Sequence, residues 1–136
     1  MNEARQGEFR IRSEGDIVMA RRAVRNAATA LGFGITDVTR IVTAASELTR
    51  NIYQYAGSGV MRWRSLNRDA RVGLELTFED SGPGIPDVTR AMEAGFSTGK
   101  GLGMGLPGAK RLMDEMTLQS HVGKGTMVEV RKWLRK

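Results

Sequence analysis

Glu47 and Asn51 stand four residues apart in a run whose apolar residues recur at helical spacing. At about 100° per residue, positions i and i+4 lie roughly 40° apart on a helix, so the two side chains share one face. That face lies away from the apolar stripe centred on Ala45 and Ile52. A carboxylate and a carboxamide one turn apart can do different work. Glu47 can take or orient a proton, and Asn51 can offer its carbonyl oxygen to a hard cation such as Mg²⁺. Alone, the pair would also suit an exposed, solvated helix face.

A second cluster is Asp80-Ser81-Gly82-Pro83-Gly84-Ile85-Pro86, directly after an alternating apolar run. Asp80 sits where that run ends, a place from which a carboxylate can accept a hydrogen bond from an exocyclic amine. Gly82 and Gly84 let the backbone bend and approach a ligand without a Cβ in the way. A plain turn would use the same residue types. The third cluster is Gly99-Lys100-Gly101-Leu102-Gly103-Met104-Gly105-Leu106. Alternating glycines ahead of a helix expose successive backbone N–H groups, which form an anion nest reinforced by the helix dipole. Lys100 adds a point charge suited to a terminal phosphate. A flexible connector is the bland alternative. Two lookalikes fail on spacing. The run Gly95 to Gly101 lacks the glycine gap of a Walker A loop and has no Ser or Thr after Lys100. Gly103 to Gly108 fits G-x-G-x-x-G formally, but no βαβ unit surrounds it.

The elements that must position these groups are legible in outline. Phe9 and Ile11 predict a short first strand, and Asp16 predicts the cap of a helix ending at Gly32. Thr36 or Asp37 would cap a second helix through Val38, Ile41, Val42, Ala45, Leu48, Ile52 and Tyr55, stopped by Gly57 and Gly59. Residues 60–65 and 72–79 predict a hairpin around Asn67-Arg68-Asp69. A short helix is expected over 87–94 and another over 106–116. Residues 117–122 and 126–133 predict a closing hairpin around Gly123-Lys124-Gly125.

Composition sets the bounds. The chain has 136 residues, enough for one domain with a real core. It carries 17 Gly, where average usage gives roughly 10; much of the excess lies in the clusters above. There is no Cys, which excludes a disulfide scaffold, a thiolate metal site and a Cys nucleophile. The single His121 excludes a multi-His metal site. Met1 to Glu8 lacks an apolar stretch, and no run approaches the roughly 20 residues that span a bilayer, so neither a signal peptide nor a membrane anchor is expected. The net charge of +6 is spread along the chain, with only 6% aromatic residues, so an acidic partner or a nucleotide fits better than nucleic acid.

The clusters fall in a fixed order: E-x-x-x-N, D-x-G-x-G, G-x-G-x-G, then Gly125-Thr126. This order resembles the ATP-binding fold of gyrase-type, Hsp90-type, histidine-kinase and MutL-type ATPases, over nearly the whole chain. The resemblance implies an α+β fold, a two-layer sandwich of a mixed β-sheet with helices on one face (the Bergerat ATP-binding fold), as a single domain over 1–136. It implies ATP and Mg²⁺ as cofactors. Glu47 would be the catalytic base, and Asn51 would hold the metal. Asp80 would bind the adenine amine, with Gly82, Gly84 and Ile85 shaping that end of the pocket and Thr126 supporting it. Gly101, Gly103, Gly105 and Leu106 would cradle the phosphates, with Lys100 beside them, and the segment from Phe96 to Lys100 would form a lid that moves without nucleotide.

Within the superfamily, the phosphoacceptor His of a sensor kinase is absent: Ser46 precedes Glu47, the single His121 lies far away in a predicted strand, and the segment from Gly84 to Gly101 is short. Neither a dimerisation nor a transducer domain is expected. The runs Ser46 to Tyr53, Gly95 to Thr98, Gly105 to Glu115 and Lys132-Trp133-Leu134 resemble the compact bacterial protein-serine/threonine kinases of partner-switching systems. That likeness implies a cytoplasmic, ATP-dependent kinase of stress signalling. It would phosphorylate STAS-domain antagonist and scaffold proteins of a stressosome. Once released, it would bind and activate a downstream phosphatase or other output enzyme. Neither nucleic acid nor membrane is an expected partner. An anti-sigma factor or switch-binding module that sequesters its partner would share every motif.

Overall fold

The computed structural model describes residues 5–82 and 105–135. The chain runs β1 (Gln6–Ile11), α1 (Glu14–Leu31), α2 (Ile35–Asn51), a π-helical turn (Ile52–Ala56), β2 (Gly59–Arg68), β3 (Arg71–Asp80), α3 (Gly105–Leu112), β4 (Glu115–His121) and β5 (Gly125–Trp133). The five strands form one sheet in the order β1-β2-β3-β5-β4. Every pairing among the described strands is antiparallel, so their sheet is not the mixed one expected. The α+β architecture itself stands. Neighbours β2–β3 and β4–β5 are joined by tight turns, and after both long helices the chain returns to lay β2 beside β1.

Alternation along the strands decides which face takes the helices. Phe9, Met61, Phe78, Val128 and Leu118 lie opposite one another across all five strands. Leu76 and Val130 make a second row with Trp63 and Met116 at their sides. Both rows join one core with Ile17, Ala20 and Val24 of α1 and Val38, Ile41, Ala45 and Leu48 of α2. The other face carries charge. Arg64, Glu75, Arg131 and Glu115 stand in one cross-strand row, joined by ion pairs of 2.6, 2.7 and 3.4 Å. Alternating opposite charges placed directly across a sheet attract their neighbours.

Local boundaries differ from the pattern-based ones where a specific contact intervenes. α1 starts at Glu14 rather than after Asp16. Ser13 is its cap and accepts from the Asp16 amide at 3.2 Å, while Asp16 reaches back to the Arg12 amide at 2.9 Å. α2 begins at Ile35 behind Gly34, with no side-chain cap from Thr36 or Asp37. The helix expected to reach Met116 stops at Leu112. The Asp114 amide donates to the Arg131 carbonyl at 2.9 Å and draws the chain into β4 early. The β2–β3 turn lies one step later than expected, at Asp69-Ala70, both with positive φ (54° and 63°). That geometry matches the strand twist of a two-residue hairpin. The helix expected over 87–94 lies outside the described residues. No helix among the described residues is long and apolar enough to cross a membrane.

Candidate functional site

Val38, Ile41, Val42, Ala45 and Leu48 are buried at helical spacing and fix the rotation of α2. That rotation leaves Glu47 and Asn51 together, half-buried, on its last turns. The Glu47 side chain is only 12% exposed, so it is not the solvated surface group that its residue type alone permits. Arg50 Nη1 donates to Glu47 Oε2 at 2.9 Å. Arg50 is itself 48% exposed, and such pairs contribute little stability, so the contact chiefly orients the carboxylate. Among the described residues the Asn51 amide makes no side-chain hydrogen bond. Immediately after Asn51 the helix widens into the π-turn, closed by Gly57 at φ 81°, whose amide donates to the Tyr53 carbonyl at 3.2 Å. Single π-turns of this kind recur at functional sites.

Asp80 ends β3 opposite Thr126 of β5. Its Oδ1 accepts from the Gly82 amide at 2.9 Å, which turns the chain out of the sheet. Oδ2 has no partner among the described residues and remains able to accept. Three glycines crowd this strand end. A Cβ on Gly125, which sits at φ 111°, would stand 2.0 Å from the Asp80 carbonyl oxygen. One on Gly59 would meet the Glu79 carbonyl oxygen at 2.5 Å and Ile52 Cγ2 at 2.6 Å. One on Gly82 would meet Ala56 Cβ at 2.6 Å. Gly82 and Gly59 therefore press the Asp80 strand end against the π-turn that follows Asn51. The turn that follows the first sequence cluster thus packs on the start of the second. Ser120 Oγ lies 2.9 Å from Thr126 Oγ1 and donates to the Gly125 carbonyl at 3.3 Å, bracing the opposite side.

The third cluster enters through α3, which begins at Gly105 and packs directly on α2. Leu106 and Ala109 are buried in the common core. Pro107 falls in the first turn, where its missing N–H costs nothing. Gly84, Ile85, Lys100, Gly101 and Gly103 lie outside the described residues, as does the expected lid from Phe96 to Lys100. Among the described residues no three acidic or His side chains converge on a point that could hold a metal ion. A cation here would take the Asn51 carbonyl and draw its remaining ligands from elsewhere. An amide oxygen with no side-chain partner among the described residues suits a hard cation.

Sequence reasoning passed over Arg50, although its Glu–Arg spacing of three residues is a visible helix-face pair. It also passed over Ser120 and Ala56, and read Gly59 only as a helix stop. Their roles depend on strand register and on the π-turn, neither of which leaves a local pattern.

Residues 36–136 match the family described as histidine kinase-, DNA gyrase B- and HSP90-like ATPases. The chain is 55% identical over 130 residues to the serine/threonine-protein kinase RsbT of Bacillus subtilis (strain 168), covering 96% of this chain and 98% of that one. It is 34% identical over 121 residues to an anti-sigma F factor of Caldanaerobacter subterraneus subsp. tengcongensis, covering 85% and 83%. Among solved structures, the mycobacterial sensor histidine kinase MprB aligns with a TM-score of 0.57 at 20% identity, covering 96% of this chain and 99% of that one, a likeness of fold alone. The ordered clusters, the helix-backed antiparallel sheet and the near full-length match converge, and the chain belongs to the histidine kinase-, DNA gyrase B- and HSP90-like ATPases, in the branch that holds serine/threonine-protein kinases and anti-sigma factors.

Proposed function

We propose that the chain is an ATP-dependent serine/threonine protein kinase of a partner-switching system. Its substrates are STAS-domain antagonist and scaffold proteins, and after release it binds and activates a downstream phosphatase or other output enzyme. The observation that carries this reading is the 55% identity to a serine/threonine-protein kinase across almost the whole of both chains. The geometry supports the placement of a nucleotide between the Asp80 strand end and the α2–α3 layer.

In this reading Asp80 Oδ2 accepts from the adenine amine while Oδ1 stays committed to Gly82. Gly84 and Ile85 line the same end, with Thr126 and Ser120 behind Asp80. Backbone N–H groups at Gly101, Gly103, Gly105 and Leu106 receive the phosphates, with Lys100 beside them. Asn51 offers its carbonyl to Mg²⁺, which when bound neutralises phosphate charge. Glu47, oriented by Arg50, accepts the proton from the Ser or Thr hydroxyl of the partner. The hydroxyl oxygen bonds to the γ-phosphorus as the bond to the bridging oxygen breaks, and ADP leaves. Phosphoryl transfer asks mostly for positioning and charge neutralisation, which fits a site with few reactive side chains.

The test is transfer of labelled phosphate from ATP to a STAS-domain protein, with Mg²⁺ present. Stoichiometric labelling at Ser or Thr is expected, and Glu47→Ala is expected to slow it by about 10²- to 10⁴-fold. A second reading follows from the 34% likeness to an anti-sigma F factor: sequestration of a partner under nucleotide control. Tight, nucleotide-dependent capture of a sigma factor without phosphate transfer would replace the kinase reading with that one.

A further inference from the structure

The helix that leads out of the third glycine cluster is too weak to place itself. α3 has eight residues, and two are Gly and one Pro. A helix this short and this poor in good formers does not persist in water. Its position must come from anchors. Leu106 and Ala109 supply apolar anchors along its length. At its far end stands Lys132 of β5, whose side chain is only 4% exposed. Lys132 Nζ donates to the carbonyl of Leu112, the last residue of α3, at 2.9 Å. It lies 3.7 Å from Asp114 Oδ1, just past that helix, and 3.8 Å from Asp37 Oδ1, in the first turn of α2. One ammonium group thus joins the sheet, the end of α3 and the start of α2. The catalytic scheme above has no use for it.

Burying an ammonium is costly unless it is paired and hydrogen-bonded, so its place must be held by its partners. Here all three partners are defined. A cation at the C-terminal end of a helix also satisfies the orphan carbonyls and complements the dipole. The mechanical consequence is leverage. Eight residues make a rod about 12 Å long. A tilt of about 5° at the Leu112 end would move the Gly105 end by roughly 1 Å, a displacement large enough to affect positioned chemistry.

We infer that Lys132 is a positioning residue for the phosphate end of the nucleotide site, acting through α3. The inference rests on the proposed nucleotide reading of that site. It predicts a phosphate-selective defect. Lys132→Met keeps the apolar stem and removes the ammonium group. Its affinity for Mg²⁺-ADP falls by tenfold or more, read by calorimetry. Its affinity for adenosine, read by NMR titration, changes less than twofold, because the Asp80 end is untouched. Hydrogen exchange speeds up in α3 while β2 and β3 stay protected. Lys132→Arg, which keeps charge and reach, restores ADP affinity to within about threefold of wild type.

A merely structural role lowers the melting temperature but leaves both affinities of the folded protein alike. Equal loss for ADP and adenosine, or no loss for either, overturns the inference. Where Met at this position leaves too little folded protein, Asp114→Asn replaces it, since it weakens the same joint while leaving Lys132 its carbonyl. It is expected to show the same selectivity at about threefold, and its absence overturns the inference equally. Wild-type protein that binds neither ADP nor adenosine rejects the nucleotide reading itself, and the role of Lys132 falls with it. Wild-type protein that binds ADP keeps that reading whatever the variants do.

Discussion

At the scale of single residues, two side chains on one helix face divide the proposed work. Removing the carboxylate in Glu47→Ala should slow phosphate transfer by about 10²- to 10⁴-fold, the usual contribution of general-base assistance. Nucleotide affinity should stay within about threefold, because in the proposed scheme Glu47 meets the acceptor hydroxyl and not the nucleotide. A calorimetric titration beside a transfer assay separates the two quantities, and wild-type turnover in the variant would remove Glu47 from the mechanism. Arg50→Ala should change stability by less than about 0.5 kcal/mol, since the pair is open to water on the arginine side. Gly125 is a sharper case. Its φ of 111° disfavours any L side chain, and the Asp80 carbonyl oxygen occupies the space a Cβ needs. Gly125→Ala should cost about 3 kcal/mol or more, a sum of backbone strain and a clash between two backbones that cannot swing aside. A urea melt measures it. A midpoint near wild type would mean that the β5 start can move away from Asp80.

At the scale of elements, pattern reasoning reached the helices and strands whose residues choose their own structure. The clean alternation Val72, Leu74, Leu76, Phe78 places β3, and the run from Val38 to Leu48 places α2. It failed where another element decides. The widened turn after Asn51 has no sequence signature: Ala56 packs on Gly82 and Ile52 on Gly59, contacts between segments that no local pattern reveals. The early end of α3 follows from an amide captured by Arg131, far along the chain. Ser13 displaced Asp16 as a cap because both side chains can accept from nearby amides, and periodicity cannot rank them. The β2–β3 turn carries a residue that propensity argues against. Ala70 sits at φ 63°, a conformation that costs an alanine roughly 1 kcal/mol. Ala70→Gly should therefore raise stability by about 0.5 kcal/mol, the strain relieved exceeding the extra freedom gained by the unfolded chain. The urea midpoint should rise with the m-value unchanged. A lower midpoint would show that strand pairing near Arg68 and Arg71 depends on the stiffer residue.

At the scale of the whole molecule, the order of the glycine clusters made the superfamily readable, yet the sheet differs from the mixed one expected. Strand direction is set by connections. Two tight hairpins and a β2 that returns beside β1 leave no parallel pair among the described strands. Nor did any motif announce the charged open face, because its rows exist only once five strands are in register. Glu75 is the centre of one such row, 4% exposed at its side chain between Arg64 and Arg131. Burial alone would push its carboxyl up. The hydrogen bonds from Arg64 at 2.6 Å and Arg131 at 2.7 Å overcome that and hold it below the usual glutamate range. A carboxyl lowered in the folded state stabilises the fold above its unfolded value, about 4.3, and loses that contribution as pH falls through the folded value. Glu75→Gln removes the charge and keeps the shape. At pH 7 the variant should be less stable by about 1–2 kcal/mol, toward the low end for charged hydrogen bonds because Arg64 is 55% exposed. Between pH 5 and pH 3 the gap between wild type and variant should narrow, since the wild-type carboxyl protonates and becomes as neutral as the amide. Every other group is the same in both proteins, so the difference between two urea-midpoint curves isolates Glu75. A gap that stays constant from pH 7 to pH 3 would mean that the row binds the sheet by packing of the long side chains over Glu75, with its charge irrelevant to the stability of the domain.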